Sequence, residues 1–440
     1  MKYHIFCLGL PLLLILFSCS DNDQFFDGGN GTEVNPYQIS TIEQLQAIND
    51  EEYLDKHFIQ VRDIDAANSL SDGEPIKLNP IGSRETPFTG NYNGDGHSIA
   101  GISDLFEDRT DLHVGLFGYV HNGAIENLYL INPSSNKFRK AYGGELIYES
   151  GVMINSYIPE LDVDNLQVMG GLVGYNDGGS INNVHSEISL ASRRHHIGGL
   201  AGYSSGNIVN SSAKANITAF GFGGGLVAIN QGVVEDSFAG GWISGTGAAG
   251  GLVGMNDGGQ IFRSQSDGEV QSGFRTGGFV GINSGSIESS NAMGSVRSDR
   301  GPGGGFAGIN SGNISTSYSI IEVWNFEPGE SIGGFIGLNM EDGRINDSYA
   351  AGLITIVDGI GTVVGGFLGN NMGQSDAAYW DTESTGQNQG VGEGDPEGAT
   401  GLTTAQMTGP AAEANMPEFD WVNVWRTTDG YPVLRWQEGE

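Results

Sequence analysis

The sequence predicts an all-β chain, a right-handed parallel β-helix (a solenoid) with coils of ~27 residues, an N-terminal helical/β cap and a C-terminal aromatic cap. Three observations point there. Glycine makes up 73 of 440 residues, against a usual ~7%. A short glycine-bounded motif returns at a nearly constant interval. The segments between the glycines are short, as strand runs are. Glycine is not every third residue, which excludes collagen, and 38% hydrophobic content excludes a disordered acidic tail.

The repeat begins as Gly170-Gly171-Leu172-Val173-Gly174-Tyr175-Asn176. It recurs from Gly198, Gly224, Gly250, Gly277, Gly304, Gly333 and Gly365, at spacings of 28, 26, 26, 27, 27, 29 and 32 residues. Residues 170–373 hold 48 of the 73 glycines. An earlier copy at Gly115 lies two periods before Gly171, so either a degenerate coil or an excursion stands between, around Lys137 to Gln167. After each motif come a turn, an aliphatic residue (Ile181, Ile208, Val234, Ile261, Ile287, Ile314, Ile345) and, three places on, a column that is mostly serine (Val184, then Ser211, Ser237, Ser264, Ser290, Ser317, Ser348).

Each element has a physical reason. Glycine at this density would cost a helix about 1 kcal/mol per interior position. One coil cannot bury its own apolar face, so coils stack, and stacking aligns identical positions roughly 4.8 Å apart. The column Asn176, Asn230, Asn256, Asn283, Asn310, Asn339 and Asn371 is then expected to form an amide ladder, broken at Ser204. A β-propeller is disfavoured because its blades need roughly 40–50 residues.

Lys2 and His4 precede an apolar run from Ile5 to Phe17. That is a signal-peptide layout, too short for the ~20 residues of a membrane span. Leu16-Phe17-Ser18-Cys19 resembles the lipobox of bacterial lipoproteins, although Phe17 is bulkier than the usual residue. The resemblance implies lipid attachment at Cys19 and removal of Cys7, which leaves the folded part without a thiol. Ser20-Asp21-Asn22-Asp23 is similar to the acidic signal that places lipoproteins of Bacteroidota-type bacteria on the outside of the outer membrane. Gly28-Gly29-Asn30-Gly31 reads as a continuing tether.

The GGLVGYN and GGFVGIN units resemble the GLUG motif of bacterial surface proteins, which include adhesin-like proteins and an IgA-cleaving peptidase family. The flanks share the resemblance: residues 31–49, Pro87 to Ile99, YWDTESTG (379–386), LTTAQM (402–407) and GYPVLRW (430–436). The chain lacks H-E-x-x-H, so peptidase activity is not carried over. The expected organisation is a signal peptide (1–18), a tether (19–33), an N-terminal cap with first coils (34–112), the GLUG-repeat β-helix (113–373) and a C-terminal capping region (374–440). Ser40 and Thr41 before Ile42, Glu43, Leu45 and Ile48 read as a capped amphipathic helix over the first coil. Trp380, Trp421, Trp425 and Trp436 read as the core of the far cap.

Nineteen basic against 53 acidic residues, a net charge of −34, leave no basic surface for phosphates and exclude nucleic acid. Outward positions include Glu235, Phe262 and Glu288. The two glutamates lie roughly 9.6 Å apart, near the limit for an inverting glycosidase, but a phenylalanine separates them and no acid partner accompanies them. Asn91 to Gly96 superficially matches an EF-hand start but has Ile102 where the bidentate glutamate belongs, so a β-turn is expected. Phe238, Tyr318 and Tyr349, beside Phe262, form an outward aromatic column suited to sugar rings or to packing between coils. Arg193 and Arg194, with His195 and His196, and the basic run 137–140 are solvated corners or contacts for an acidic glycan. No cofactor and no specific metal site is expected; the acidic loops leave room only for diffuse surface Ca2+. The reading is a non-enzymatic, monomeric, lipid-anchored protein of the outer-membrane surface for adhesion to a glycan or to a host or matrix ligand. The alternatives are a polysaccharide-active lyase or hydrolase and a ligand-free envelope spacer.

Overall fold

One coil shows how the glycine pattern becomes backbone. Strand β1 (Ala248–Gly250) turns at Gly250-Gly251 into β2 (Val253–Asn256). A glycine corner leads to β3 (Gln260–Phe262), and Arg263-Ser264 lead to β4 (Gln265–Ser272). Each strand pairs in parallel with its counterpart one coil on: Val253 with Val280, Ile261 with Ile287, Gln265 with Asn291. Counterparts of β1 build a 9-stranded sheet and those of β2 a 10-stranded sheet, while counterparts of β3 and β4 share one of 22 strands. The result is a nearly all-β parallel solenoid of about ten coils. This computed structural model describes residues 25–66, 70–71, 74–75, 78–102, 105–106, 110–131, 161–162, 165–357 and 359–437. The expected signal peptide, Cys19, the stretch 20–23 and the basic run 137–140 lie outside the described residues.

The double glycine is a packing requirement. A Cβ on Gly224 would stand 1.8 Å from the carbonyl oxygen of Val227 in its own coil, and one on Gly225 would stand 2.0 Å from that of Gly251 in the next. Behind this corner the core is stacked by type. Phe279, Phe306, Phe335 and Phe367 superpose with centroids 4.6, 4.8 and 4.9 Å apart, and Leu172, Leu200, Leu226 and Leu252 fill the same place in earlier coils.

The asparagines run through the interior as a hydrogen-bonded row. Asn230 donates to Asn256, Asn256 to Asn283, Asn283 to Asn310, Asn310 to Asn339 and Asn339 to Asn371, at 2.8–2.9 Å. Each of these side chains is buried. Ser204 interrupts the row, taking a bond from Asn176 at 3.0 Å.

Between β3 and β4 nine successive coils turn through a left-handed residue: Asn127, Asn183, Asn210, Asp236, Arg263, Ser289, Thr316, Asp347 and Ala377, with φ between 42° and 55°. This conformation costs a side-chain-bearing residue about 1–2 kcal/mol. The serine column compensates. Ser211 N–H donates to Ser237 Oγ, Ser237 N–H to Ser264 Oγ, and so on through Ser317 to Ser348. Each hydroxyl in turn donates to a carbonyl two residues back, as Ser264 does to Phe262 at 2.9 Å. The corner thus keeps its amides satisfied at every level.

The coils containing Phe117 and Val173 are direct neighbours, since these two residues pair. No further coil stands between them in the stack, and most of the intervening chain, residues 132–160, lies outside the described residues. Helix α1 (Ile42–Ala47) starts at Thr41 with a capping box to Gln44 and places Ile42, Leu45 and Ile48 in the main core. Residues 25–31 are folded, which corrects the tether boundary. Phe26 is buried on Tyr37, and the backbone of Asp27 and Gly28 bonds Gln38. The tryptophans also differ from expectation. Trp380 sits inside the last coil under Gly366 and Gly390, whereas Trp421, Trp425 and Trp436 belong to a segment on the side of the solenoid.

Candidate binding face on the solenoid flank

Outward residues of the β4 strands line one long flank, and the chain covers part of it itself. After the last coil, residues 403–437 return along this flank as a strap. Its Phe419, Trp425 and Leu434 pack on Tyr318, Tyr349 and Tyr379. Tyr349 donates to the carbonyl of Pro432 at 2.6 Å, Tyr318 to Gln437 at 3.1 Å and Tyr379 to Glu418. Further back, the Trp436 indole donates to Ser289 and Gln437 to Asn291. Tyr431 donates to Asp381 at 2.5 Å. Tyr318 and Tyr349 are therefore buried, and neither is available as a surface contact. Burial pushes the Tyr318 phenol up to about 12.

The other expected site residues separate. Phe238 is half-buried, as is Phe262, whose ring lies under the Arg263 guanidinium at 4.3 Å. Arg263 also donates to Glu235 and to both oxygens of Asp236 at 2.6–2.7 Å. Glu235 is thus held in an ion pair, while Glu288 stands exposed two coils on. Arg193 and Arg194 are exposed at a turn away from the aromatic column. Their histidine neighbours are structural. His195 is bracketed by Ser192 Oγ at 2.7 Å and the Asp111 carbonyl at 2.8 Å, and His196 Nδ1 accepts from the Phe222 amide at 2.9 Å. Burial lowers the His196 imidazole to about 4. Asn93 to His97 form a tight turn through Asp95 at φ 49°.

Next to the strap lies an exposed grid that the sequence reading missed. Three adjacent β4 strands present Met293, Ser295, Arg297 and Asp299; then Ile320, Glu322, Trp324 and Phe326; then Leu353, Thr355 and Val357. Met293, Leu353 and Val357 are 42%, 47% and 59% exposed. Trp324 and Phe326 are half-exposed, with ring planes 16° apart and centroids 6.5 Å apart. Arg297 lies 4.2 Å over Phe326 and bonds Asp299 at 2.9 Å. Ile320 packs against the strap, which thus borders the grid. The available signal was parity. Trp242 and Trp324, the two tryptophans outside the C-terminal region, both fall on outward β4 positions.

Two other places hold polar groups. Tyr119, Tyr175 and Tyr203 stack 4.9 and 4.1 Å apart beside His113, and Tyr119 and His121 share Asp177. Burial lowers His113 to about 4. Near the far end a cleft of about 400 Å³ is lined by Arg344, Asn346, Gln374, Asp376, Asp395 and Glu397. Among the described residues no three His, Cys, Asp or Glu side chains are grouped to hold a metal ion. No described helix is long and apolar enough to cross a membrane.

Comparison with known proteins places this geometry. The GLUG motif matches residues 194–218. Halomucin of Haloquadratum walsbyi is 32% identical over 93% of the chain, and a "Gly-rich membrane protein" of Evansella cellulosilytica is 38% identical over 28% of it. The matches span only 3% and 14% of those proteins' own lengths. A crystal structure described as an immunoglobulin A1 protease from Bacteroides ovatus aligns over 94% of this chain and 96% of its own, at 18% identity and a TM-score of 0.39.

Proposed function

We propose that this chain, a GLUG-repeat protein by motif and fold, is a non-enzymatic binding protein of the cell envelope. In this reading it is anchored through a lipid on Cys19, displayed at the outer surface, and adheres through the flank of its solenoid. The single observation that carries the binding role is the β4 flank, a rigid face bearing half-exposed Trp324 beside exposed Met293, Leu353 and Val357 on an otherwise acidic molecule. Monomeric soluble proteins seldom expose such a patch without a use for it. The relatives' names, a mucin-like name and a membrane protein, fit an envelope setting. An enzymatic role at Glu235 and Glu288 is opposed by the ion pair that occupies Glu235.

Intact cells treated with protease test display, with loss of the protein expected; full protection would place it inside. Cys19→Ala is expected to release it from the membrane fraction. Adhesion of cells carrying the protein to glycan- or matrix-coated surfaces tests binding, and indistinguishable adhesion of cells lacking it would refute that role. Release of reducing sugar or unsaturated product from acidic polysaccharide would favour the enzyme instead.

A further inference from the structure

We infer that the grid centred on Trp324 and Phe326 binds a neutral glycan chain; this deepens the surface-binding reading and rests on it. The geometry has two components that a sugar ring uses together. Nearly parallel aromatic planes, 16° apart on one strand face, offer a platform on which C–H faces stack. Thr355 stands opposite Trp324 in the following coil, one strand spacing of roughly 4.8 Å away, and exposed Glu322 precedes Trp324 on the same face with Ser295 opposite it in the preceding coil, so hydrogen-bonding groups border the platform. Arg297 braces the Phe326 ring from one side and is itself held by Asp299, so the platform is ordered before a ligand arrives.

Charge and composition select the occupant. A stable protein partner prefers an interface core depleted of charged residues. Here Arg297 and Glu322 stand beside Trp324 itself. A uronate, a sulfated chain or an anionic lipid surface would approach a molecule of net charge −34, with Glu322 and Glu327 exposed at the patch. A neutral chain of sugar rings meets neither objection. Its hydroxyls donate to carboxylates while its apolar faces cover the indole and phenyl rings.

The test uses the mature chain in affinity electrophoresis through gels containing mannan, xylan or amylose, with polygalacturonate and heparin as anionic probes. Retardation by at least one neutral polysaccharide is expected. Trp324→Ala and Phe326→Ala should each weaken it about tenfold. Trp324→Phe should keep most of it, and Phe220→Ala, an exposed aromatic elsewhere, should change nothing. Unaltered thermal unfolding of the variants would show that the stack is intact, as expected for half-exposed side chains. Retardation by the anionic probes alone, by no neutral polysaccharide, or to the same degree in Trp324→Ala would each overturn the assignment. So would a concentration-dependent dimer of the wild type that Trp324→Ala abolishes. Cell adhesion that persists in Trp324→Ala would leave the surface-binding reading standing and remove only this site.

Discussion

The same outward column meets two fates along the solenoid. Upstream, Ser212, Phe238 and Gln265 are half-exposed at successive levels. Downstream, Tyr318, Tyr349 and Tyr379 stand in the same register but are sealed under the strap. The upstream coils therefore leave this column uncovered, while the downstream coils carry an external lock over it. The difference teaches that the repeat dictates which way a side chain points, and distant chain decides whether water reaches it.

The largest expected effect removes the lock. Trp425→Ala empties a fully buried position between Tyr318, Tyr349 and Phe419 and should cost about 3–5 kcal/mol. Hydrogen exchange should show protection lost across residues 403–437 while the upstream coils keep theirs. Uniform loss along the whole chain would break the comparison, because it would make the strap part of one cooperative unit.

Asn283→Ala tests the internal ladder that both regions share. It removes one bond from each neighbour, leaving the Asn256 amide only its bond to Gly259 and the Asn310 oxygen only its bond from Gly312, at about 1–3 kcal/mol. Denaturant unfolding checks it, with a fall in midpoint expected.

Acid should separate the regions further. His113 and His196, both in the upstream half, are lowered to about 4, chiefly by burial. The unfolded chain takes up these protons below about 6.5, and the folded chain only near 4. Stability should therefore decline as pH falls from about 6.5 to about 4, by on the order of 1–3 kcal/mol for half-buried His196. His196→Phe should flatten this part of the pH profile. An unchanged profile in that variant would show that His196 does not titrate across unfolding.

The smallest effect sharpens the account of the corners. Thr316 is a β-branched residue at φ 50°, a conformation asparagine tolerates better. Thr316→Asn should stabilise the fold by about 0.5–1 kcal/mol, read as a slightly raised melting midpoint. A lowered midpoint would mean that its side chain supplies something the corner geometry does not require.

These results divide what was legible from what was not. The glycine spacing, the asparagine column and the aliphatic positions were readable because each coil repeats the same backbone constraint, and a constraint repeated along the chain appears as a period. The left-handed corner escaped notice because its occupants are mixed: five of the nine are Asn or Asp, which tolerate the conformation, but Arg263, Ser289, Thr316 and Ala377 carry no such mark. Their common conformation is enforced by neighbouring coils. Tyr318 and Tyr349 looked like surface residues because parity alone assigns direction.

The sequence by itself determined a stacked, parallel, glycine-cornered solenoid. In-register burial follows from local period, and no other arrangement hides every coil's apolar face. Only the tertiary structure decided which flank stays open. That depends on residues 403–437 folding back over coils more than 80 positions earlier, as Tyr349 and Pro432 show. Docking at that range is a matter of complementary surfaces, and such surfaces leave no periodic trace in the chain.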